Sequence, residues 1–241
     1  MRLMYVFHSG YAVEADGFSI LIDYYKDTGF NPKEGYVHEK LLKRPGKLYI
    51  LSSHFHPDHF NPEVLLWKEQ KKDIQYIFSR DILRHRKAKE EDALYLMKGD
   101  IYQDKNLSIQ AFGSTDVGIS FLIKMEGKLI FHAGDLNNWL WKEESTAEEI
   151  AIMERDFLNE VDLLAKTTEQ LDIAMFPIDS RLGKEYALGA EQFIDRIQTK
   201  LFAPMHFGEA YKALIPFKQY AEERGVKYMA WTEKGQSIDI Y

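Results

Sequence analysis

The stretch KLYILSSHFHPDHFNP, residues 47–62, decides how this chain is read. The apolar run Lys47–Ser52 has the length and composition of a β-strand, and it leads straight to His54. Asn61 and Pro62 then have the form of a helix N-cap followed by proline at the first helical position, with Glu63 in the first turn. Between strand and helix lies a short loop carrying three histidines and an aspartate in an H-x-H-x-D-H pattern. Residues two apart on an extended segment point the same way, so His54 and His56 can grip one ion together. Where the backbone turns toward the helix, Asp58 and His59 can face a second ion a few ångströms away. Two ions roughly 3.5–4 Å apart can share a hydroxide and polarise a substrate oxygen. The bland alternative is a surface loop with incidental histidines.

Composition narrows the chemistry. The 241 residues include no cysteine, which rules out disulfides, thiolate zinc sites, iron–sulfur clusters and cysteine nucleophiles. Any metal must therefore be held by His, Asp or Glu. With 45% hydrophobic and 29% charged residues, the chain has the balance of an ordinary globular protein. A formal net charge of −7 argues against a protein that tracks long stretches of phosphate backbone. It leaves room for a small anionic substrate held by a few local cations. No apolar run approaches the ~18 residues of a membrane span, and MRLMYVFHSG lacks the apolar region and cleavage site of a signal peptide. The expected location is the cytoplasm, without a membrane partner.

Working outward from the motif, Arg2–Phe7, Tyr11–Glu14 and Phe18–Asp23 read as short strands, the last two joined at Asp16-Gly17. Ile74–Phe78, Leu94–Met97, Leu107–Phe112, Ile119–Met125 and Lys128–His132 follow as further strands. Ser145 and Glu148 have the spacing of a capping box, opening a helix over about Thr146–Lys166 with Ile150, Met153, Phe157, Val161 and Leu164 on one face. That face is core or the face of a homo-oligomer. Strand Ile173–Ile178, a helix around Ala190–Gln198, strand Leu201–Met205, helix Ala210–Arg224 and strand Lys227–Trp231 complete the pattern.

Three further segments make the chain resemble the metallo-β-lactamase-fold superfamily of metal-dependent hydrolases, along nearly its whole length. Ile130–Asp135 is similar to the family's strand ending in Gly-Asp, and Phe202–His206 to its late strand ending in a histidine. Leu21–Asp23 is similar to the end of its early hairpin. The nearest likeness is to small cytoplasmic members of the ascorbate-6-phosphate lactonase-like subgroup. The resemblance implies an α/β fold, a four-layer αββα sandwich with two central mixed β-sheets and helices on the outer faces, in a single domain over residues 1–241. It also implies a binuclear or near-binuclear site with two divalent ions, Zn2+ first, with Mn2+ or Fe2+ as alternatives.

In that reading Asp135 bridges both ions, His54 and His56 hold the first, and Asp58, His59 and His206 hold the second. The family's additional first-site histidine is missing from the matching stretch, residues 111–118. Asp116 is the natural substitute, then His132, then water. Asp23 would orient a ligand histidine, as metal-bound imidazoles usually need. Metal-activated water would attack a small-molecule ester or lactone, phosphorylated or not, with Asp58 relaying a proton. A phosphodiesterase or nuclease, and a metal-binding protein without catalysis, are the competing functions.

Other residues carry two readings each. His8 is a substrate or supporting group, or only a strand end. Asp179, Arg181, Lys184 and Tyr186 lie where superfamily members place substrate contacts, and the two cations could clamp a phosphate or carboxylate or be solvated. Asn137, Asn138, Trp139 and Trp141 line a pocket wall or pack as a lid. His38 and His85, set among charges, read as surface.

Overall fold

A computed structural model describes residues 1–141 and 145–241. The fold is α/β, as expected, with two seven-stranded mixed sheets and helices around them. The chain divides into two compact units: Met1–Met97 with Trp231–Tyr241, and Lys98–Ala230. In the first lie β1 (Arg2–Phe7), β2 (Gly10–Glu14), β3 (Phe18–Ile22), β4 (Lys47–Ser52), β5 (Ile74–Ser79) and β6 (Leu94–Leu96). In the second lie β7 (Ile101–Gln103), β8 (Leu107–Phe112), β9 (Ser120–Met125), β10 (Lys128–His132), β11 (Gln170–Pro177), β12 (Gln198–Met205) and β13 (Lys227–Tyr228). The last strand, β14 (Ser237–Asp239), belongs to the first unit and pairs with β1.

The first sheet has the order β14-β1-β2-β3-β4-β5-β6. Its β14-to-β3 half is antiparallel and its β3-to-β6 half parallel. The Asp16-Gly17 turn closes as the sequence predicts, with Ala15 N donating to Phe18 O at 3.0 Å. Gly46 must be glycine for β4 to start beside that turn, because a Cβ there would lie 2.0 Å from the Gly17 carbonyl oxygen. The apolar run of β4 is buried from Leu48 onward, as a strand flanked by parallel neighbours should be. Strands β1, β3, β4 and β5 all point the same way, so the residues following them, His8, Asp23, Ser53–His59 and Asp81, emerge at one edge of this sheet.

The second sheet, β13-β12-β11-β10-β9-β8-β7, is parallel from β13 to β10 and antiparallel from β10 to β7. Here β8, β10, β11 and β12 share a direction, so Gly113–Asp116, Asp135, Asp179 and His206 also follow one common edge. Among the described residues, four α-helices accompany the sheets: α1 (Arg80–Arg84) in the first unit, and α2 (Ala147–Thr167), α3 (Leu188–Ile194) and α4 (Phe217–Glu223) in the second. Phenylalanines fill the second core in a chain of ring contacts: Phe157 to Phe176 at 6.2 Å, Phe176 to Phe193 at 4.6 Å and to Phe202 at 6.1 Å, then Phe202 to Phe217 at 5.2 Å. Each pair adds about 0.5–1.5 kcal/mol beyond its area burial, enough to fix how α2, α3 and α4 sit on the sheet. Among the described residues, no helix is long and apolar enough to cross a membrane.

Several boundaries differ from expectation, each for a local reason. Thr146, not Ser145, caps α2, its hydroxyl accepting from Glu149 N while the Glu149 carboxylate accepts from Thr146 N. On the face read as apolar, Phe157, Val161 and Leu164 are buried, and Ile150 and Met153 are half-buried. The helix expected over Ala210–Arg224 is two pieces, a 3₁₀ turn Tyr211–Leu214 and α4. Pro216 stands between them, where it lacks the N–H an unbroken helix needs. Asn61 does cap the next element, accepting from Glu63 N at 3.0 Å, but Pro62–Glu69 is 3₁₀ rather than α. His38 is not at the surface: its side chain is 8% exposed, with Nδ1 2.8 Å from Asp27 and Nε2 3.0 Å from Glu63. His85 is exposed, as read, and stacks on Phe55 at 3.7 Å.

Candidate metal centre

The H-x-H-x-D-H loop is built around one buried carboxylate. Asp23 follows β3 and is fully buried, like Ser53, His54 and His59. Its Oδ1 accepts from Ser53 N at 2.7 Å, and its Oδ2 accepts from the Ser53 hydroxyl at 2.6 Å and from His59 Nδ1 at 2.7 Å. Proton bookkeeping then fixes both tautomers. The Asp23–His59 bond places the proton on His59 Nδ1. The single Ser53 hydroxyl proton is used on Asp23, so the 3.0 Å contact to His54 Nδ1 must have the serine oxygen accepting. Both rings therefore carry their lone pair on Nε2.

Around them, the rings of His54 and His56 lie 4.7 Å apart and those of His54 and His59 4.0 Å apart. The ligand atoms of His54 and His56 fall within 4.8 Å of each other, and so do those of His8, Asp58 and His59. His8 Nε2 sits 3.2 Å from Asp58 Oδ2, so the residue that follows β1 meets the aspartate of the loop. Burial pushes the Asp58 carboxyl upward, but the hydrogen bond from His8 and the nearby His59 outweigh it and hold it well below the usual carboxylate range. Asp58 is thus a carboxylate at neutral pH. Phe55 N, in the middle of the loop, donates to Asp81 Oδ2 at 2.9 Å, a brace from α1.

The second unit presents a matching arrangement. His206 Nδ1 lies 3.0 Å from Asp179 Oδ2, and its Nε2 is 3.5 Å from Asp135 Oδ1. Asp179 is gripped from its other side by Arg181, whose Nε lies 2.9 and 3.0 Å from the two carboxylate oxygens. Burial raises the Asp179 carboxyl, but His206 and Arg181 together bring it well below the ordinary range. Ligand atoms of Asp116 and Asp135 fall within 4.8 Å of each other. His132 is buried and accepts from Gly134 N at its Nδ1, 3.2 Å away. Trp139 donates from Nε1 to the Asp135 carbonyl at 2.8 Å and lies against the His206 ring, with Trp141 stacked beyond it. Asn137 and Asn138 are buried, and Lys184 is exposed.

Backbone strain marks the same residues. Six non-glycine residues have positive φ among those described, and three of them are His8 (57°), Asp23 (49°) and His206 (66°). Such a conformation costs of order 1–3 kcal/mol and persists where the surroundings over-determine it. Here hydrogen bonds at Asp23 and His206 do so.

Sequence reading missed Ser53, Asp81 and Glu160. Glu160, on α2, accepts from Gly113 N at 3.2 Å, pairs with Lys98, and so tethers the loop carrying Asp116. Ser120 Oγ bonds Gly113 O from the opposite side at 3.0 Å. Replacing Glu160 by Ala should lower stability by about 1 kcal/mol, the usual worth of one such hydrogen bond. Glu160→Gln, whose amide oxygen still accepts from Gly113 N, should cost less. Urea denaturation midpoints of the two variants measure the difference.

A family model described as the Beta-lactamase superfamily domain matches residues 2–154. A UPF0173 metal-dependent hydrolase of Symbiobacterium thermophilum is 26% identical over 226 residues, covering 86% of this chain and 84% of the relative. Among solved structures, the metallo hydrolase Igni18 of Ignicoccus hospitalis superposes with a TM-score of 0.68 at 19% identity, over 98% of this chain and 97% of that one. The metallo-beta-lactamase fold protein YhfI of Bacillus subtilis gives 0.63 at 11% identity, over 98% of both chains. At such identities the two structures speak for the fold alone.

Proposed function

The chain belongs to the β-lactamase superfamily, and from that premise we propose that it is a metal-dependent hydrolase acting on a small ester or lactone through two divalent cations. The ligand sets in this reading are His54, His56, Asp116 and Asp135 for one ion, and Asp58, His59, Asp135 and His206 for the other. The observation that carries it is the buried wiring of the histidines. Asp23 with Ser53, and Asp179, engage the Nδ1 atoms of His59, His54 and His206. A histidine whose Nδ1 is held by a carboxylate has the arrangement of a metal ligand using Nε2. The donors are imidazoles and carboxylates without thiolates, which suits Zn2+, and Asp116 in place of a histidine shifts the preference somewhat toward Mn2+ or Fe2+.

When bound, the ions lower the pKa of water to about 7 and polarise the substrate carbonyl. The chain's own groups do the rest. Asp58, already ionised, takes the proton from the attacking water and delivers it to the leaving alcohol. His8, 3.2 Å from Asp58, holds that carboxylate in place. Arg181 fixes Asp179, and through it the orientation of His206. An ester or lactone is favoured over a phosphodiester polymer because the chain carries a net charge of −7, the wrong sign for a nucleic-acid track.

Stripping the protein with dipicolinate should abolish hydrolysis of 4-nitrophenyl butyrate and of δ-valerolactone, and Zn2+ or Mn2+ should restore it with two ions bound per chain. Preferential turnover of bis(4-nitrophenyl) phosphate would replace the ester reading by a phosphodiesterase. Less than one ion per chain after reconstitution, with no hydrolysis of any of the three, would leave a metal-binding protein without catalysis.

A further inference from the structure

Two lysines of the first unit rest their ammonium groups on one aromatic shelf. Lys26 Nζ lies 4.6 Å from the Tyr25 ring centroid and 5.8 Å from that of Phe7. Lys234, far along the chain, brings its Nζ to 5.6 Å from the same Phe7 ring and 5.6 Å from Phe30. The shelf continues toward the ligand cluster: Phe7 and Tyr25 lie 5.9 Å apart, and Tyr25 meets His8 edge-on at 6.3 Å. His8 in turn contacts Asp58. Asp58, His8, Tyr25 and Lys26 are thus consecutive neighbours.

Neither lysine forms an ion pair among the described residues. The carboxylates nearest them in sequence are engaged elsewhere or stand apart. Asp27 is buried, its oxygens taken by Thr28 N, Val37 N, His38 N and the His38 ring. Glu34 accepts from Asn31, and Glu233 is exposed with no ion pair among the described residues. Lys234 donates to the Gly29 carbonyl at 3.0 Å, which anchors it and leaves two further N–H groups. In a chain of net charge −7, the same group of rings thus carries two ammonium groups, neither in an ion pair. Cation–π contacts hold a lysine weakly, at about 0.5–1 kcal/mol when exposed, and a charge-assisted hydrogen bond to an anion is stronger. The rings position these ammonium groups without satisfying them.

We propose that Lys26 and Lys234 form a subsite for the anionic end, carboxylate or phosphate, of a small ester whose reacting carbonyl lies at Asp58. The proposal rests on the hydrolase reading above and adds the charge of its substrate. The Tyr25 and Phe7 rings would carry the linking part of the substrate.

Mono-4-nitrophenyl succinate and 4-nitrophenyl butyrate, one anionic and one neutral, test it in the metal-loaded protein. For Lys26→Ala with Lys234→Ala, KM for the succinate should rise at least tenfold, as loss of one charge-assisted contact implies. Its kcat, the butyrate kinetics and the metal content should stay within about twofold to threefold. Equal KM values for the succinate in wild type and double variant would overturn the subsite, and so would an equal rise for both esters. A second arm is independent of turnover: binding of succinate and of inorganic phosphate to the as-purified protein, followed by calorimetry at matched metal content. The double variant should bind at least one of them tenfold more weakly, with the more affected anion naming the preferred group. Unchanged binding of both would reject the subsite even if wild type hydrolysed neither ester, an outcome that by itself would count against the hydrolase reading alone.

Discussion

Asp135→Ala should reduce ester hydrolysis by at least about a thousandfold, the scale on which a preorganised charge-stabilising centre acts, while the chain stays folded. The residue follows β10, is 5% exposed, and places Oδ1 3.5 Å from His206 Nε2. In the proposed ligand sets it serves both ions, so its loss removes a donor from each. The backbone around it is held by bonds that do not involve the carboxylate: Trp139 bonds the Asp135 carbonyl, and Thr115 and Asn137 bond each other across the adjoining loops. Removing one of two carboxylates whose oxygens approach within 4.8 Å, those of Asp116 and Asp135, relieves repulsion in the metal-free chain. Its thermal midpoint without metal should therefore equal or exceed that of wild type, the usual trade between stability and a functional site. His56→Ala should fail in the same way, with metal content falling alongside turnover. Full activity in a metal-depleted Asp135→Ala protein would refute the metal mechanism outright.

The residues legible in the sequence were those whose chemistry is local. His54, His56, Asp58 and His59 declare themselves because their spacing matches strand and turn periodicity, and the structure clusters their rings and carboxylate. Asp135 and His206 stand out through the family resemblance, at places where strands are expected to end, and β10 and β12 do end shortly before them. What stayed hidden acts across distance in the chain. Asp81 braces Phe55 N from 26 residues away and Glu160 braces Gly113 N from 47, and a hydrogen bond to a backbone N–H leaves no mark on the sequence around the donor. His38 read as surface because Glu39 and Lys40 adjoin it, whereas its partners Asp27 and Glu63 lie 11 and 25 residues off. The short edge strands β7 and β14 go unread because their strand character comes from their pairing with β8 and β1, partners that the residues around them do not reveal.

Asp23 offers the sharpest separation of wiring from packing, through two substitutions with opposite emphasis. Asp23→Ala orphans three donors, Ser53 N, Ser53 Oγ and His59 Nδ1, all on residues that are fully buried. It also puts alanine at a φ of 49°, which L side chains other than Asn and Asp seldom adopt. A loss of roughly 3–5 kcal/mol is expected, as for other broken buried charge networks. Asp23→Asn keeps the shape and tolerates the backbone, and its amide oxygen can still accept from Ser53 N. Its NH2, however, faces the Ser53 hydroxyl and His59 Nδ1, where the carboxylate had accepted. His59 can then meet that NH2 only as an acceptor, which moves its proton to Nε2, the nitrogen the metal needs. The asparagine variant should thus unfold within about 2 kcal/mol of wild type, yet bind its metal 10- to 100-fold more weakly, the range typical of losing such a supporting carboxylate. Nitrogen chemical shifts of the His59 ring report the tautomer directly. An Asp23→Asn protein with wild-type metal affinity and Nδ1 still protonated would show that Asp23 supports the fold of the loop and not the chemistry of its histidine.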